Sequence, residues 1–197
     1  MKHNITLIPG DGIGPEVTKP TPIEAFVGSH PTAQRFVTTP KPIPTSFARE
    51  AFFGVNAFKF TSKDGKSQFG RFRIRPEAGT EYLDAAAVAA KSASFLIDEI
   101  TERIARGPVK FRVVVQLAAS GDVVDDATAI WPEDRPQLDF GTITLTARVA
   151  NDDSEQRRLI FDPIPRVDGI ESSGDPLLEP RAALYLMSGR RRRAAKA

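Results

Sequence analysis

The chain has 197 residues, of which 41% are hydrophobic and 26% are charged, and this predicts one globular domain or slightly more. Its formal net charge of +2 is too small to indicate a class of partner by itself. The absence of cysteine excludes disulfides, thiolate metal sites and cysteine nucleophiles.

No apolar run approaches the roughly 18 residues of a membrane-spanning helix. The first residues also lack the apolar core of a signal peptide. We therefore expect no membrane span. A cytoplasmic location is the default expectation, and the periplasm stays open because a chain without cysteine suits either compartment.

The first eighteen residues differ in character from the rest. Residues 5–8 predict a short strand, residues 9–14 a glycine-rich turn, and Pro15 the start of a helix. This run is similar to the opening of the isopropylmalate and isocitrate dehydrogenases, and the resemblance implies a loop near a nicotinamide cofactor. The functional arginines and aspartates of those enzymes have no counterparts downstream, and a strand and a turn cannot bind a dinucleotide without their sheet. We expect residues 1–18 to be a foreign segment attached to a second part, residues 19–197.

The next stretch, residues 19–44, is rich in proline. Its pattern predicts two short helices, at 22–29 and 32–36, followed by an extended segment where prolines alternate with other residues. His30 falls between the two helices. No carboxylate or second histidine stands at ligand spacing from it, so we interpret it as a loop or capping residue.

Alternation of apolar and polar residues predicts four strands, which span residues 52–61, 68–75, 109–117 and 140–149. The first two are joined by a turn containing Asp64-Gly65, which is a hairpin signal. Between the second and third strands, residues 81–106 predict two helices that meet near residues 92–94.

Two polar features have alternative interpretations. Arg71, Arg73 and Arg75 alternate along the second strand and suggest either nucleic-acid binding or a solvated sheet face. No stacking aromatic residues interleave on the face that carries these arginines, so the solvated face is favoured. The loop at 118–137 contains the pair Asp125-Asp126, which suggests a metal or acid/base site, but a solvated loop is again the favoured interpretation.

The last segment contains a pair of residues whose types and spacing suggest a specific chemistry. Arg181 and Tyr185 are four residues apart in a stretch rich in alanine and leucine, so a helix places their side chains on one face. An ordinary tyrosine has a pKa near 10, and a phenolate at pH 7 therefore costs about 4 kcal/mol. An arginine together with a ferric iron supplies that stabilisation.

Pro180 immediately precedes this pair. In the interior of a helix that begins at residue 175, it would cost about 3 kcal/mol or bend the helix. In the first turn of a helix it is tolerated. The position of the helix start therefore decides whether Arg181 and Tyr185 keep their spacing.

The C-terminal motifs resemble those of the haem catalases and, more closely, of the smaller catalase-related haem peroxidases. The residues that carry this resemblance are Asp162-Pro163, Asp168-Gly169-Ile170, Ser173, Asp175-Pro176, Arg181, Tyr185 and Arg190 to Arg193. Further matching segments are residues 53–60, Trp131-Pro132 and Leu145-Thr146. The resemblance implies that Tyr185 is the proximal ligand of haem iron. It also implies that Arg181 stabilises the phenolate and that Arg192 pairs with a haem propionate.

The resemblance covers residues 19–193 and corresponds to about the C-terminal half of a family member. It implies an α+β fold: an antiparallel half-barrel of about four strands with helical excursions and a C-terminal helix that faces haem. Four strands of a barrel normally closed by eight leave two open edges and an uncovered apolar face.

The implied activity is haem-dependent breakdown of hydrogen peroxide, with a small organic reductant as second substrate. The family's distal histidine, which transfers the peroxide proton, belongs to the other half, so we expect this chain to be inactive alone. An alternative is an inactive binding module that associates with itself or a partner through its open sheet. Nucleic-acid binding through Arg190 to Arg193 ranks lower, because a charged tail is usually solvated, and no nucleic-acid partner is expected.

Overall fold

The computed structural model describes residues 21–195. The dehydrogenase-like segment at 1–18 and its boundary with residue 19 lie outside the described residues. The chain divides into two compact units, one ending at Pro42 and the other beginning at Ile43. None of the helices within 21–195 combines the length and the apolar character needed to cross a membrane.

The described part of the first unit is a pair of short helices, α1 (Pro22–Ser29) and α2 (Pro31–Thr38). Each begins with proline, whose fixed φ suits the first helical position. Thr21 and Glu24 cap α1 reciprocally: the hydroxyl of Thr21 accepts from the Glu24 N–H, and the Glu24 carboxylate accepts from the Thr21 N–H at 2.8 Å. His30 joins the helices, and its Nδ1 lies 2.8 Å from the Phe26 carbonyl oxygen. The prediction of two helices with His30 between them is confirmed.

The second unit contains eight strands and four helices. Its strands are β1 (Ile43–Pro44), β2 (Phe52–Phe53), β3 (Phe58–Thr61), β4 (Ser67–Pro76), β5 (Tyr82–Leu83), β6 (Val109–Leu117), β7 (Gln137–Leu145) and β8 (Ile170–Ser172). Its helices are α3 (Ala85–Ala89), α4 (Phe95–Arg106), α5 (Asp152–Arg158) and α6 (Leu178–Ala194). A single turn of 3-10 helix, Phe47–Arg49, precedes β2.

Six of these strands form one antiparallel sheet. Its order is β7-β6-β4-β3-β8, and β2 pairs with β4 beside β3. β1 and β5 form a separate antiparallel pair. In the described part of the chain the sheet does not close into a barrel, so the prediction of an open antiparallel half-barrel with helical excursions is confirmed.

One face of the sheet is apolar. Val109, Phe111, Val113 and Val115 alternate along β6 and are all buried. At one end of this face, Ala48 packs on Val109 and Phe111, and Ile100 and Ile104 of α4 cover the same cluster. The other end carries interlocked phenylalanine rings, including Phe72 and Phe140 with centroids 5.5 Å apart. This second end is open, because Leu138 and Phe140 of β7 are 56% and 49% exposed.

The opposite face carries the alternating arginines, and the expectation of a solvated face is wrong for Arg71. Its side chain is only 3% exposed because the loop between β6 and β7 folds over it. The guanidinium donates to the carbonyl oxygens of Ala129 at 2.6 Å and Asp126 at 3.0 Å, and it lies 4.2 Å from the Trp131 ring centroid. Burial lowers the pKa of Arg71 from its ordinary value, and nearby carboxylates oppose that shift.

Several element predictions differ from the structure in detail. The strand predicted at 52–61 is two strands, because the chain leaves the sheet at residues 54–57. The strand predicted at 140–149 begins at Gln137 and ends at Leu145. A bulge opposite Val113 and Val114, where Gly141 has a φ of 143°, shifts its alternation. The start of the range predicted as helical, residues 81–106, is instead the short strand β5, and the short strands β1 and β8 were not predicted. Helix α5 was not predicted either, because its sequence is almost wholly polar.

Gly70 generates a test of the sheet packing. A methyl group at this position would overlap the Val115 side chain and lie 3.2 Å from the Gln116 carbonyl oxygen. We expect Gly70→Ala to lower the free energy of unfolding by about 1–3 kcal/mol, measured by urea denaturation. Gly107→Ala is the control, since its added methyl meets open space. Equal stability of the two variants would contradict the β4–β6 packing.

Candidate functional site

Helix α6 presents Arg181 and Tyr185 on one face. The helix begins at Leu178, so Pro180 is its third residue and lies in the first turn. First-turn N–H groups have no acceptor within the helix, and the missing N–H of proline therefore costs little. The Arg181 N–H donates to the Leu177 carbonyl oxygen at 3.1 Å. The predicted i, i+4 spacing of the pair is confirmed.

The two side chains are in contact. Nη2 of Arg181 donates to the Tyr185 hydroxyl oxygen at 3.3 Å, and the guanidinium carbon lies 5.6 Å from the ring centroid. Both side chains are half-buried. The guanidinium places a positive charge within hydrogen-bonding range of the phenol oxygen.

Asn56 contacts the Arg181 guanidinium through the Nη atom that does not contact Tyr185. Nη1 of Arg181 donates to Asn56 Oδ1 at 2.7 Å, and Asn56 Nδ2 donates to Asp175 Oδ2 at 2.7 Å. Asn56 and Asp175 are 8% and 4% exposed. Guanidinium only donates and carboxylate only accepts, so the amide between them can satisfy both in one orientation alone. Three hydrogen bonds thus connect a buried carboxylate to the Tyr185 hydroxyl.

Asp175 also organises the start of α6. Its Oδ1 accepts from the Leu177 N–H at 2.9 Å, one residue before the helix begins. The same carboxylate therefore anchors the helix start and fixes the Asn56 amide. Sequence reasoning assigned no role to Asn56. The only available signal was its place in the family-like segment at 53–60, which does not identify a contact 125 residues away.

Arg192 lies on the same face of α6, about two turns after Tyr185. Its Nη1 donates to the Ser188 hydroxyl at 2.8 Å, and its Nη2 donates to the Leu159 carbonyl oxygen at 2.5 Å. The guanidinium carbon lies 5.6 Å from the Phe161 ring centroid. Its Nε is buried and has no hydrogen-bond partner among the described residues. One donor is thus left for an acceptor that the described chain does not supply.

Exposed apolar side chains lie close to Tyr185 in the chain or beside Arg192. Leu177 and Leu184 are 51% and 57% exposed, and Phe161 beside Arg192 is 59% exposed. The site therefore combines one phenol, a guanidinium about two turns further along α6, and exposed apolar side chains nearby in the chain. This donor set fits a flat apolar group that carries anionic substituents on one edge.

Other polar groups of the described chain do not join this face. A separate cavity of about 410 Å³ is lined by Arg71, Arg73 and Trp131. In the acidic loop, Asp122 pairs with Arg135 at 2.8 Å, and hydrogen bonds from Arg135 and the Ala119 N–H lower its pKa to about 2. Within residues 21–195, no three histidine or carboxylate side chains come together as a metal site.

Comparison with known proteins identifies the family. The sequence model of catalase matches residues 25–197. The chain belongs to the catalase family. The foreign origin of residues 1–18 stays a prediction, because that segment precedes the matched range.

Curated relatives agree with this placement. The chain is 34% identical over 179 residues to a catalase-related peroxidase of Synechococcus elongatus, covering 88% of this chain and 52% of the relative. It is 32% identical over 177 residues to a catalase-related peroxidase of Mycolicibacterium paratuberculosis, covering 88% and 56%. The chain thus spans about half the length of the curated relatives it matches.

Solved structures share the fold. A bacterial catalase structure aligns with 85% of this chain and 35% of its own, with a TM-score of 0.71 and 23% identity. Catalase A from Saccharomyces cerevisiae aligns with 76% and 33%, with a TM-score of 0.67 and 22% identity. The half-barrel arrangement therefore belongs to the catalase fold.

The hydrogen bonds that Asn56 makes with Arg181 and Asp175 can be tested by their contribution to stability. Asn56→Ala leaves Arg181 Nη1 without an acceptor and Asp175 Oδ2 without a donor, so we expect the free energy of unfolding to fall by about 1–3 kcal/mol in urea denaturation. Asn151→Ala is the matched control, because Asn151 is exposed and its side chain makes no capping hydrogen bond. Equal free energies of unfolding for the two variants would contradict these buried hydrogen bonds of Asn56.

Proposed function

We propose that this chain forms the proximal side of a haem site in a peroxide-decomposing member of the catalase family, with Tyr185 as the axial ligand. The single observation that carries the proposal is the hydrogen bond from Arg181 to the Tyr185 hydroxyl, supported from behind by Asn56. We further propose that residues 19–193 act as the catalase-like part and residues 1–18 as a separate segment.

Arg181 and Asn56 orient the ligand. The guanidinium is held at two points, by the Asn56 oxygen and by the phenol oxygen, so it cannot turn away from Tyr185 without losing a hydrogen bond. Its positive charge stabilises the deprotonated phenol oxygen, which is the form that binds ferric iron. Asp175, buried behind Asn56, keeps the amide oxygen directed at Arg181.

Arg192 and the flanking apolar residues suit the remainder of a haem. The free Nε of Arg192 offers a charged hydrogen bond to a propionate. Leu177, Leu184 and Phe161 supply exposed apolar surface for a porphyrin plane. Haem, when bound, supplies the redox chemistry that peroxide breakdown requires.

The substrate proposal follows the names of the relatives, which are catalases and catalase-related peroxidases. We assign hydrogen peroxide and a small organic reductant to the complete site. The described histidine, His30, has its ring stacked on Phe26 at 3.9 Å and its Nδ1 at the Phe26 carbonyl oxygen, so it serves its own helix. Among the described residues, the site residues bind and orient haem, and proton transfer at peroxide needs a group outside them.

Haemin titration tests the ligand assignment. We expect the purified chain to bind haemin and to give the absorbance spectrum of a ferric phenolate, which Tyr185→Phe abolishes. Tyr82→Phe is the matched control: Tyr82 is the other of the two tyrosines, and its hydroxyl donates to Glu50 at 2.9 Å. A spectrum that survives Tyr185→Phe, or is lost in Tyr82→Phe, would overturn the proposal.

Replacement of Arg192 should lower the affinity for haemin without changing the residue that binds the iron. Arg192→Gln removes the charged partner of a propionate, so we expect haemin affinity to fall about fivefold, which corresponds to about 1 kcal/mol for a partly exposed ion pair. The phenolate spectrum at saturation should stay unchanged. Arg166→Gln is the control, because Arg166 pairs with Asp162 in a different contact.

A second candidate function is self-association, and the open end of the apolar sheet face favours it. Leu138 and Phe140 are exposed on β7, the outermost strand. A second copy of the chain could cover this surface, since exposed apolar strands at a sheet edge promote pairing. We expect a concentration-dependent dimer in sedimentation equilibrium that Leu138→Lys returns to monomer, while Val123→Lys, another exposed apolar position, leaves it unchanged. A monodisperse monomer would exclude this function.

A further inference from the structure

Arginines from two parts of the sequence lie at the ends of α5 and α6, and these two helix ends are in contact. We call them the arginine cluster: Arg157, Arg158, Arg190, Arg191 and Arg193. The two helix ends are joined by hydrogen bonds, since Arg193 Nη1 donates to the Arg158 carbonyl oxygen at 3.4 Å and Arg192 Nη2 donates to Leu159. Gly189 permits this approach, because a methyl group there would lie 3.1 Å from Ile160. The cluster is therefore a folded surface and not an unstructured tail.

Little negative charge opposes the cluster. Arg158 pairs with Glu155 at 3.5 Å, but both side chains are largely exposed, at 71% and 49%, so water weakens the pair. Among the side chains that the structure describes, no carboxylate lies within salt-bridge distance of Arg190, Arg191 or Arg193. The helix C-termini contribute only about half a negative charge each. The surface therefore keeps a net positive charge.

Two of the arginines have no part in holding the fold. Arg193 donates to the last turn of α5, which gives it a structural role. Arg190 and Arg191 are exposed, and their side chains form no hydrogen bond with the described protein. Neither lies on the face of α6 that carries Tyr185, because residues five and six positions after Tyr185 point away from it on a helix. Their charge is thus available to a ligand separate from the proposed haem site.

We propose that the arginine cluster binds the phosphate backbone of nucleic acid. Guanidinium groups match phosphate oxygens with paired donors. The cluster is an open surface spread over two helix ends, so a polymer of repeated phosphates contacts several guanidiniums, whereas one small anion contacts one or two. The cluster contains no aromatic side chain, and we therefore expect backbone binding without base preference.

Salt-dependent binding of DNA by the haem-free chain tests this proposal independently of the haem assignment. With about four phosphate contacts, the affinity for a labelled duplex of about 20 base pairs should fall about 100-fold between about 50 and about 200 mM salt. The double variant Arg190→Ala with Arg191→Ala should reduce the slope of log affinity against log salt by about 2. Fluorescence anisotropy measures both quantities.

The control variant combines Arg75→Ala with Arg106→Ala, which removes the same total charge from two exposed arginines elsewhere. It should bind the duplex as the unmodified chain does. The proposal is overturned if the control loses as much affinity as the cluster variant, or if no duplex binds at the lower salt concentration. It is equally overturned if inorganic phosphate at constant ionic strength displaces the duplex, or if the chain binds anionic phosphatidylserine vesicles and not DNA.

Discussion

The buried hydrogen bonds between Asp175, Asn56 and Arg181 are the constraint on which the site depends. Asn56 belongs to the segment between two strands of the sheet, whereas the other two residues belong to the start of α6. A buried carboxylate without donors is costly, and so is a guanidinium without acceptors. These costs favour the one arrangement in which sheet and helix meet at the amide. The direction of α6, and with it the Tyr185 hydroxyl, follows from that arrangement.

The sheet divides the second unit into two chemically different sides. One side buries valine, isoleucine and phenylalanine at the end near α4 and leaves phenylalanine and leucine exposed at the other end. The other side buries Arg71 under a loop that supplies carbonyl oxygens in place of water. The buried apolar cluster and the exposed apolar surface therefore lie on the same face of the sheet. The buried arginine lies on the opposite face. This asymmetry is what half of a larger barrel would show.

Local pattern predicted most of the elements because their causes are local. The alternation along β6, the hairpin at Asp64-Gly65 and the break between α3 and α4 each depend on neighbouring residues. The predictions were wrong where contacts between residues distant in the sequence determine the structure. β7 is offset by a bulge opposite β6, and α5 has too little apolar surface to reveal itself by periodicity. Arg71 was expected in water because no local pattern shows that a loop 55 residues later will cover it.

The amino-acid order was sufficient for the spacing of Arg181 and Tyr185, for the catalase resemblance of the last third, and for the alternation that makes a sheet. These properties repeat within a few residues and follow from helix and strand geometry. Folding alone placed Asn56 against Arg181, Leu159 against Arg192, and the end of α5 against the end of α6. Such contacts join residues more than 30 positions apart, and their partners are selected by burial and by hydrogen-bond complementarity in three dimensions. No spacing along the chain encodes that selection.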